Sequence, residues 1–476
     1  MAIVHPNESE SNSIRQYIHE AEPKALRTKT LTQAVLARSA GVFHWTPENR
    51  KLFDFTSGVL VANLGHNPVG WLKRFRDYMG WPSEPRPQVD FSEVPSGYYP
   101  AVTMTAYNAI TPVEALATER LLALLQRTPN GRRLQQVMWA ASGSEAVQKA
   151  LWASMSRDRS RPFILASRHG FHGKKGLAGA VTGSERDHER DWRVKFFSFP
   201  MHECIDVTCR DHQFDPANYR RELDQLWHQF GPQIGTLITE PYLGGGGSYH
   251  PPLPYLKMVQ DFCREHDIVF ILDEVQSNFG RTASLFAFEA YGLEPDLVVL
   301  GKGLGNGVPV AAAVGRADIF RSLDYGEGSD TWSANPLCCA AVCATIDEFM
   351  ACEGTIKDRH AVSQLIERRL IEFKAFPFIA HVRGEKNGMV WGLETRDYDG
   401  RPATEWAHQI VLNCYLGNGP VGIHLLGPLA SKVIRISPPI TITPDEASEA
   451  FDIFKQSLER MLHVRHLVDL AHSFSV

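Results

Sequence analysis

The chain predicts an α/β fold: a large domain with a mostly parallel central sheet flanked by helices, plus a smaller α+β domain built from the C-terminal third and an N-terminal segment. Three observations predict it. Its 476 residues exceed the about 250–300 at which a single core stops growing, which allows one large domain and one smaller one. From Gln136 to Val314, short continuous apolar runs alternate with helically spaced segments, the pattern of parallel strands buried on both faces by crossover helices. Past Gly354 the composition shifts, and helices alternate with shorter strands. The implied boundaries are an arm over 1–40, an N-terminal part of the small domain over 41–80, a large domain over 81–350, and a C-terminal small domain over 351–476.

Composition bounds the partners. Hydrophobic content of 43%, charged content of 22% and a formal net charge of −5 describe an ordinary globular chain with no long basic run, which argues against nucleic acid and anionic membrane. No apolar stretch reaches 18 residues, and the first residues (MAIVHPNESESNS) lack the layout of a signal peptide, so the chain reads as cytoplasmic. The eight cysteines include no C-x-x-C pair and read as small buried hydrophobes. His169 and His172 stand three apart among glycines with no third ligand evident, so no metal is expected there.

In chain order, residues 1 to about 35 are polar and weakly helical; arms of this kind often pack on a partner subunit. Val42–Trp45 and Lys51–Phe55 read as a hairpin, and Trp71–Tyr78 as a helix. Residues 81–105, rich in Pro, Tyr and Ser, form either a connecting loop or a loop over a pocket. Pro112–Leu125 has helical spacing with proline in its first turn. Strands follow at 136–141, 163–166, 234–238, 268–273, 297–300 and 308–314. A helix is expected over 254–266, and a long helical run from Asp330 to Met350. The C-terminal third supplies helices over 356–373, 404–415 and 444–462, with strand signals at 381–384, 389–393 and 433–437.

Chemistry concentrates where strands end. The strands closing at Asp273 and at Gly301-Lys302 point the same way in a parallel sheet, so both residues face one edge, where ligands bind. A lysine and a carboxylate there suit a cofactor with an aldehyde for the amine to attack and a ring nitrogen for the acid to hold protonated, as in pyridoxal phosphate. Ser142-Gly143-Ser144-Glu145 joins a strand to a helix with capping-box spacing. This junction suits a phosphate cup, and equally an ordinary α/β connection. Phe171, flanked by Gly170 and Gly173, suits either a ring stack or a core turn. The glycines after Lys302 do not make a G-x-G-x-x-G, and no lysine opens a Walker GK[ST].

Taken together, Ser142-Gly143-Ser144-Glu145-Ala146, Phe171-His172-Gly173, Glu240-Pro241, Asp273-Glu274-Val275-Gln276 with Gly280-Arg281-Thr282, Lys302, Thr331, and Arg435 before Pro438-Pro439 resemble the class III (omega) aminotransferase family of fold-type-I pyridoxal-phosphate enzymes, from about Gly41 to about Leu462. The resemblance implies an aminotransferase that moves an amino group from an amine or amino acid to a keto acid or aldehyde by a ping-pong cycle. Lys302 would form the internal aldimine and shuttle the proton, and Asp273 would pair with the pyridine nitrogen. Gly143 and Ser144 would bind the phosphate. Phe171 and Val275 would sandwich the ring, with His172 beside them; Gln276 would reach the 3-oxygen, and Glu240 would support the network around Asp273. Thr331 would reach the phosphate of the neighbouring subunit's cofactor, implying a homodimer, and Arg435 would anchor a substrate carboxylate.

The chain departs from the family pattern in four places. Leu243-Gly244-Gly245-Gly246-Gly247 stands where members using glutamate often carry a gating Glu, which favours pyruvate-like acceptors over 2-oxoglutarate. The usual stacking Tyr is Phe171, the His that often precedes the shared Thr is Gly328, and Lys174-Lys175 beside the stacking loop are unusual. The family also holds racemases or epimerases, an aminomutase and a decarboxylating member; pocket geometry, which decides which Cα bond breaks, is not written in the motifs.

Overall fold

Short β-branched and aliphatic runs that end in turn residues assemble, in a computed structural model, into the central sheet. The structure describes residues 2–26, 28–81, 94–95, 97–183, 191–352, 359–417 and 419–473; most of the loop expected between 81 and 105 lies outside them. Strands β1–β14 run in chain order: Arg38–Ala40, Phe43–Trp45, Lys51–Asp54, Gln136–Ala140, Phe163–Ser167, Val194–Phe197, Ile234–Thr239, Val269–Asp273, Leu297–Leu300, Ala311–Gly315, Ile379–Gly384, Trp391–Thr395, Val421–His424 and Val433–Ile436.

The central sheet has the order β4-β10-β9-β8-β7-β5-β6. β9, β8, β7, β5 and β6 pair in parallel, and β10 lies antiparallel between β4 and β9. β4 therefore runs with the parallel set. β5, β7, β8, β9 and β10 are buried along their whole length, which is why they read as unbroken apolar runs rather than alternating ones. Helices such as Gly143–Arg157 and Leu253–Glu265 pack over the faces.

Several expected boundaries moved, among them the last helix, which runs Pro444–Ser473, and the strand expected at 389–393, which lies at Trp391–Thr395; two shifts have a local cause. The strand read from Val308 begins only at Ala311, because Pro309 cannot donate to a ladder and Val308 N–H turns back to Gly305 O at 3.1 Å. The helical run read from Asp330 begins at Pro336, where Asn335 Oδ1 accepts from Leu337 N–H at 2.9 Å; a residue before proline disfavours helix, and Asn with Pro makes a helix start.

The smaller part is built around two sheets. One has the order β1-β2-β3-β13, and its parallel β3–β13 pairing joins an N-terminal hairpin to the C-terminal third. The other is β11-β12-β14 and carries Arg435 at its edge, on β14. The helix Ser9–Ala21 packs on its own chain: buried Arg15 pairs with Glu8, whose carboxylate also takes Arg50 at 3.0 Å and Tyr415 Oη at 3.0 Å.

Candidate active site

The shared direction of β4, β5, β7, β8 and β9 brings their carboxyl ends to one edge, and the residue after β5, β7, β8 and β9 is polar or glycine. β4 runs into Ser142, whose Oγ accepts from Glu145 N–H at 3.3 Å while the Glu145 carboxylate accepts from Ser142 N–H at 3.1 Å. This capping box starts the helix at Gly143 and leaves early N–H groups at its mouth, an anion site by geometry and dipole. β5 leads to Phe171 and His172, β7 to Glu240, β8 ends on Asp273, and β9 leads to Lys302. Lys302 sits at φ +48°, a left-handed turn that side-chain-bearing residues adopt at a cost.

A hydrogen-bonded chain links these strand ends. Asp273 Oδ2 is 2.7 Å from His172 Nδ1, and Oδ1 accepts from Val275 N–H at 3.0 Å; both residues are buried. Glu240 accepts from three donors: Phe171 N–H at 2.8 Å, Gly244 N–H at 3.2 Å and Gln276 Nε2 at 3.1 Å. It thus ties together three loops that line the edge. Gln276 Oε1 in turn accepts from Arg435 Nη1 at 3.0 Å. Arg435 is only 3% exposed, and its Nε and Nη2 atoms are buried without a partner.

Burial sets the electrostatics. Lys302 is pushed down to about 8 by burial, helped by the nearby Arg435 charge and opposed by Asp273 and Glu240. Glu240 is pushed up to about 7 by burial, against the pull of His172, and burial also lowers Arg435. An amine titrating near neutrality and a proton-holding carboxylic acid within one cluster are what acid–base chemistry needs.

Glycines set how close the loops come. A Cβ on Gly143 would stand 3.1 Å from Val275 Cγ1, one on Gly245 would meet Phe171 Cβ at 3.0 Å, and one on Gly173, at φ +140°, would lie 2.5 Å from Ser144 Oγ. Val275 therefore packs on Gly143, and Ser144 on Gly173. Phe171 itself is 37% exposed, an aromatic left open on the edge.

Not every expected residue joins the cluster. Thr331 is exposed on a segment tethered by Lys149, whose buried Nζ donates to Trp139 O, Asp330 Oδ2 and Ser333 Oγ at 2.6, 2.7 and 2.6 Å. Glu274, next to Asp273, turns away and accepts from Ala287 and Phe288 N–H, each at 2.7 Å. Two supporting residues escaped sequence reasoning. Thr182 Oγ1 accepts from His172 N–H at 2.9 Å and donates to Gly173 O at 2.8 Å. Asn278 Nδ2 donates to Gly301 O at 3.1 Å, bracing the turn before Lys302. Asn278 follows the Asp273–Gln276 stretch closely enough to have been suspected; nothing around Thr182 marks it.

A sequence model described as "Aminotransferase class-III" matches residues 98–458. The chain belongs to the class-III aminotransferase family. It is 25% identical over 427 residues to the acetylornithine aminotransferase of Oceanobacillus iheyensis, covering 88% of this chain and 92% of that protein. It is 29% identical over 340 residues to an alanine/serine racemase of Pyrococcus horikoshii, covering 69% and 70%. Among solved structures, an amine transaminase from an uncultivated Pseudomonas species in its PLP-bound form superposes with a TM-score of 0.74 at 25% identity, covering 92% of this chain and 97% of that one. The protein is a PLP-dependent class-III aminotransferase.

The residues present fit that cofactor. The helix mouth at Gly143-Ser144 suits a phosphate, and a Cβ at Gly173 would press on Ser144 Oγ there. Asp273 sits buried with its carboxylate oriented from both sides, His172 Nε2 is buried and unpartnered, and Lys302 carries an amine depressed toward neutrality.

Proposed function

We propose that this aminotransferase works on amino donors with a monocarboxylate keto acid of the pyruvate type as acceptor, in a homodimer whose two sites are shared. The observation that carries the substrate reading is Arg435: buried, held by the neutral Gln276 amide at 3.0 Å, with two guanidinium nitrogens unsatisfied. A buried guanidinium with open donors favours one planar carboxylate, bound bidentately. The Gly244–Gly247 run puts no acid beside it to switch that charge off.

When bound, pyridoxal phosphate supplies an aldehyde carbon for an amine and a ring that accepts electron density. The chain's residues do the rest. Gly143 and Ser144 hold an anion at the helix mouth; Asp273, steadied by His172 and Val275 N–H, keeps a ring nitrogen protonated. Phe171 and Val275 bound a planar ligand, and Glu240 keeps the loops carrying Phe171, Gly244 and Gln276 in register. Lys302 Nζ takes and returns the substrate's Cα proton, a role suited to an amine neutral near its working pH. Thr331, exposed on its own chain, is read as a contribution to the partner's phosphate.

The test is acceptor preference. We expect pyruvate to regenerate the yellow form from the amine-loaded enzyme faster than 2-oxoglutarate does. Arg435→Leu should lower kcat/KM for carboxylate acceptors by about 100-fold, the scale of a lost charge-assisted pair, while changing an aldehyde acceptor by less than about 3-fold. Equal loss for both acceptors would refute the anchor role. Racemisation of the donor without colour change would place the chain beside its racemase relative instead.

A further inference from the structure

Away from the cofactor edge, the four-stranded sheet carries histidines and a carboxylate that transamination does not use. His44 lies on β2, Asp54 ends β3, His66 follows in the loop after it, and His424 ends β13 opposite Asp54 in parallel register. His66 Nε2 is 2.7 Å from Asp54 Oδ2, and His44 Nε2 is 3.4 Å from the same oxygen. One ligand atom from each of His44, Asp54 and His66 lies within 4.8 Å of the others. We propose that these three residues bind a zinc-class divalent metal ion through His44 Nε2, His66 Nε2 and Asp54 Oδ2, with water completing the set.

The spacing suits such an ion. Tetrahedral zinc with bonds of about 2.0–2.1 Å sets its ligand atoms roughly 3.3 Å apart. The His44–Asp54 pair already stands at that separation, and the His66–Asp54 pair needs to open by about 0.6 Å, which replaces a hydrogen bond with two metal bonds. Orientation is prepared as well. Asp54 Oδ1 is fully engaged, accepting from Thr56 N–H at 2.7 Å, Thr56 Oγ1 at 2.7 Å and Ser57 N–H at 3.1 Å, which aims Oδ2 at the imidazoles. His44 Nδ1 is 2.7 Å from Ser39 Oγ, leaving Nε2 as its ligand nitrogen, in the pattern by which outer partners fix a metal-binding imidazole.

A purely hydrogen-bonded cluster explains less. It accounts for the 2.7 Å contact but leaves His44 Nε2, on a residue 2% exposed, without a hydrogen bond; His424 Nδ1 beside it is likewise unpartnered. Asp54 is fully buried, and among the described residues it pairs with no lysine or arginine. A buried carboxylate calls for a cation, and a divalent ion supplies one where only imidazoles are present. The His66 side chain is 17% exposed, which gives the ion an entry.

The site has a structural consequence. His66 ends a loop whose Asn63 donates to Asn278 O at 3.2 Å and Phe279 O at 3.1 Å, and whose Leu64 N–H donates to Asn306 Oδ1 at 3.1 Å. A metal at His44, Asp54 and His66 would fasten that loop, and with it the turn after Lys302, to the small sheet.

The test uses chelator-stripped holoenzyme titrated with Zn²⁺ alone. We expect one zinc per chain by elemental analysis, with a Kd of about 1 μM or tighter, and a raised Tm that a chelator reverses. His44→Gln and His66→Gln should each weaken binding by at least about 10-fold. X-ray absorption at the zinc edge of the unmodified protein should show two imidazoles, which keeps the proposal testable if a variant fails to fold. No zinc bound at about 10 μM free ion, unchanged binding in both variants, or an edge spectrum without imidazole scattering would each overturn it.

Discussion

At the scale of single residues, Lys302 has the most exposed consequences. Replacing it with Ala should abolish turnover while leaving the far-ultraviolet circular dichroism unchanged; multiple turnovers by that variant would contradict its role. The same side chain makes a pH prediction for the cofactor-free protein. Its folded-state pKa is pushed down to about 8 from the ordinary 10.5, so below pH 8 the folded chain carries a charge that burial disfavours. Between 8 and 10.5 the folded amine is neutral while the unfolded one still holds its proton, and the penalty fades as pH rises. Lys302→Met should therefore stabilise the cofactor-free protein below pH 8 by roughly 1–3 kcal/mol, discounted because the side chain is partly exposed. Denaturant titrations across this range should see the gain shrink toward pH 10.5; a gain that grows with pH would exclude the sign.

At the scale of elements, the cup at the start of helix Gly143–Arg157 depends on its neighbours more than on its own sequence. Gly173 belongs to another loop, yet a methyl there would overlap Ser144 Oγ and would also have to adopt φ +140°. Gly173→Ala should therefore weaken cofactor binding by about 10-fold or more, while removing the cap with Ser142→Ala should cost about 1 kcal/mol of stability. Equilibrium dialysis of cofactor and thermal melts separate the two effects. A Gly173→Ala protein with unaltered cofactor affinity would mean that Ser144 does not take part in the cup.

At the scale of the whole molecule, shared sites make a sharper prediction than oligomeric state alone. Sedimentation should report a dimer. A heterodimer of one Lys302→Ala chain with one Thr331→Ala chain would contain one site lacking both residues and one site intact. Its activity should be about half that of the unmodified dimer, with ordinary cofactor affinity, as two-fold symmetry requires. If each chain built its site alone, the heterodimer's only lysine-bearing site would carry the Thr331→Ala defect and bind cofactor more weakly.

Most strands of the central sheet were legible because each is a local pattern, a run of apolar residues and then a turn residue; the edge strand Val194–Phe197 and the helix Ala217–Phe230 were not read from the sequence. Asp273 and Lys302 follow from the sequence to one edge, since parallel strands share a direction, and the Ser142–Glu145 cap is written in four adjacent residues. Family likeness added the roles and the reaction. Tertiary structure alone decided the rest, because it depends on partners far apart in the chain. Gln276 meets Arg435 from a different sheet, Thr182 braces His172, β10 enters antiparallel, and Glu240 gathers three loops whose donors span residues 171 to 276. Local chemistry chooses which groups stand at a strand end; long-range packing chooses what they touch, how dry they are, and therefore whether they hold a proton.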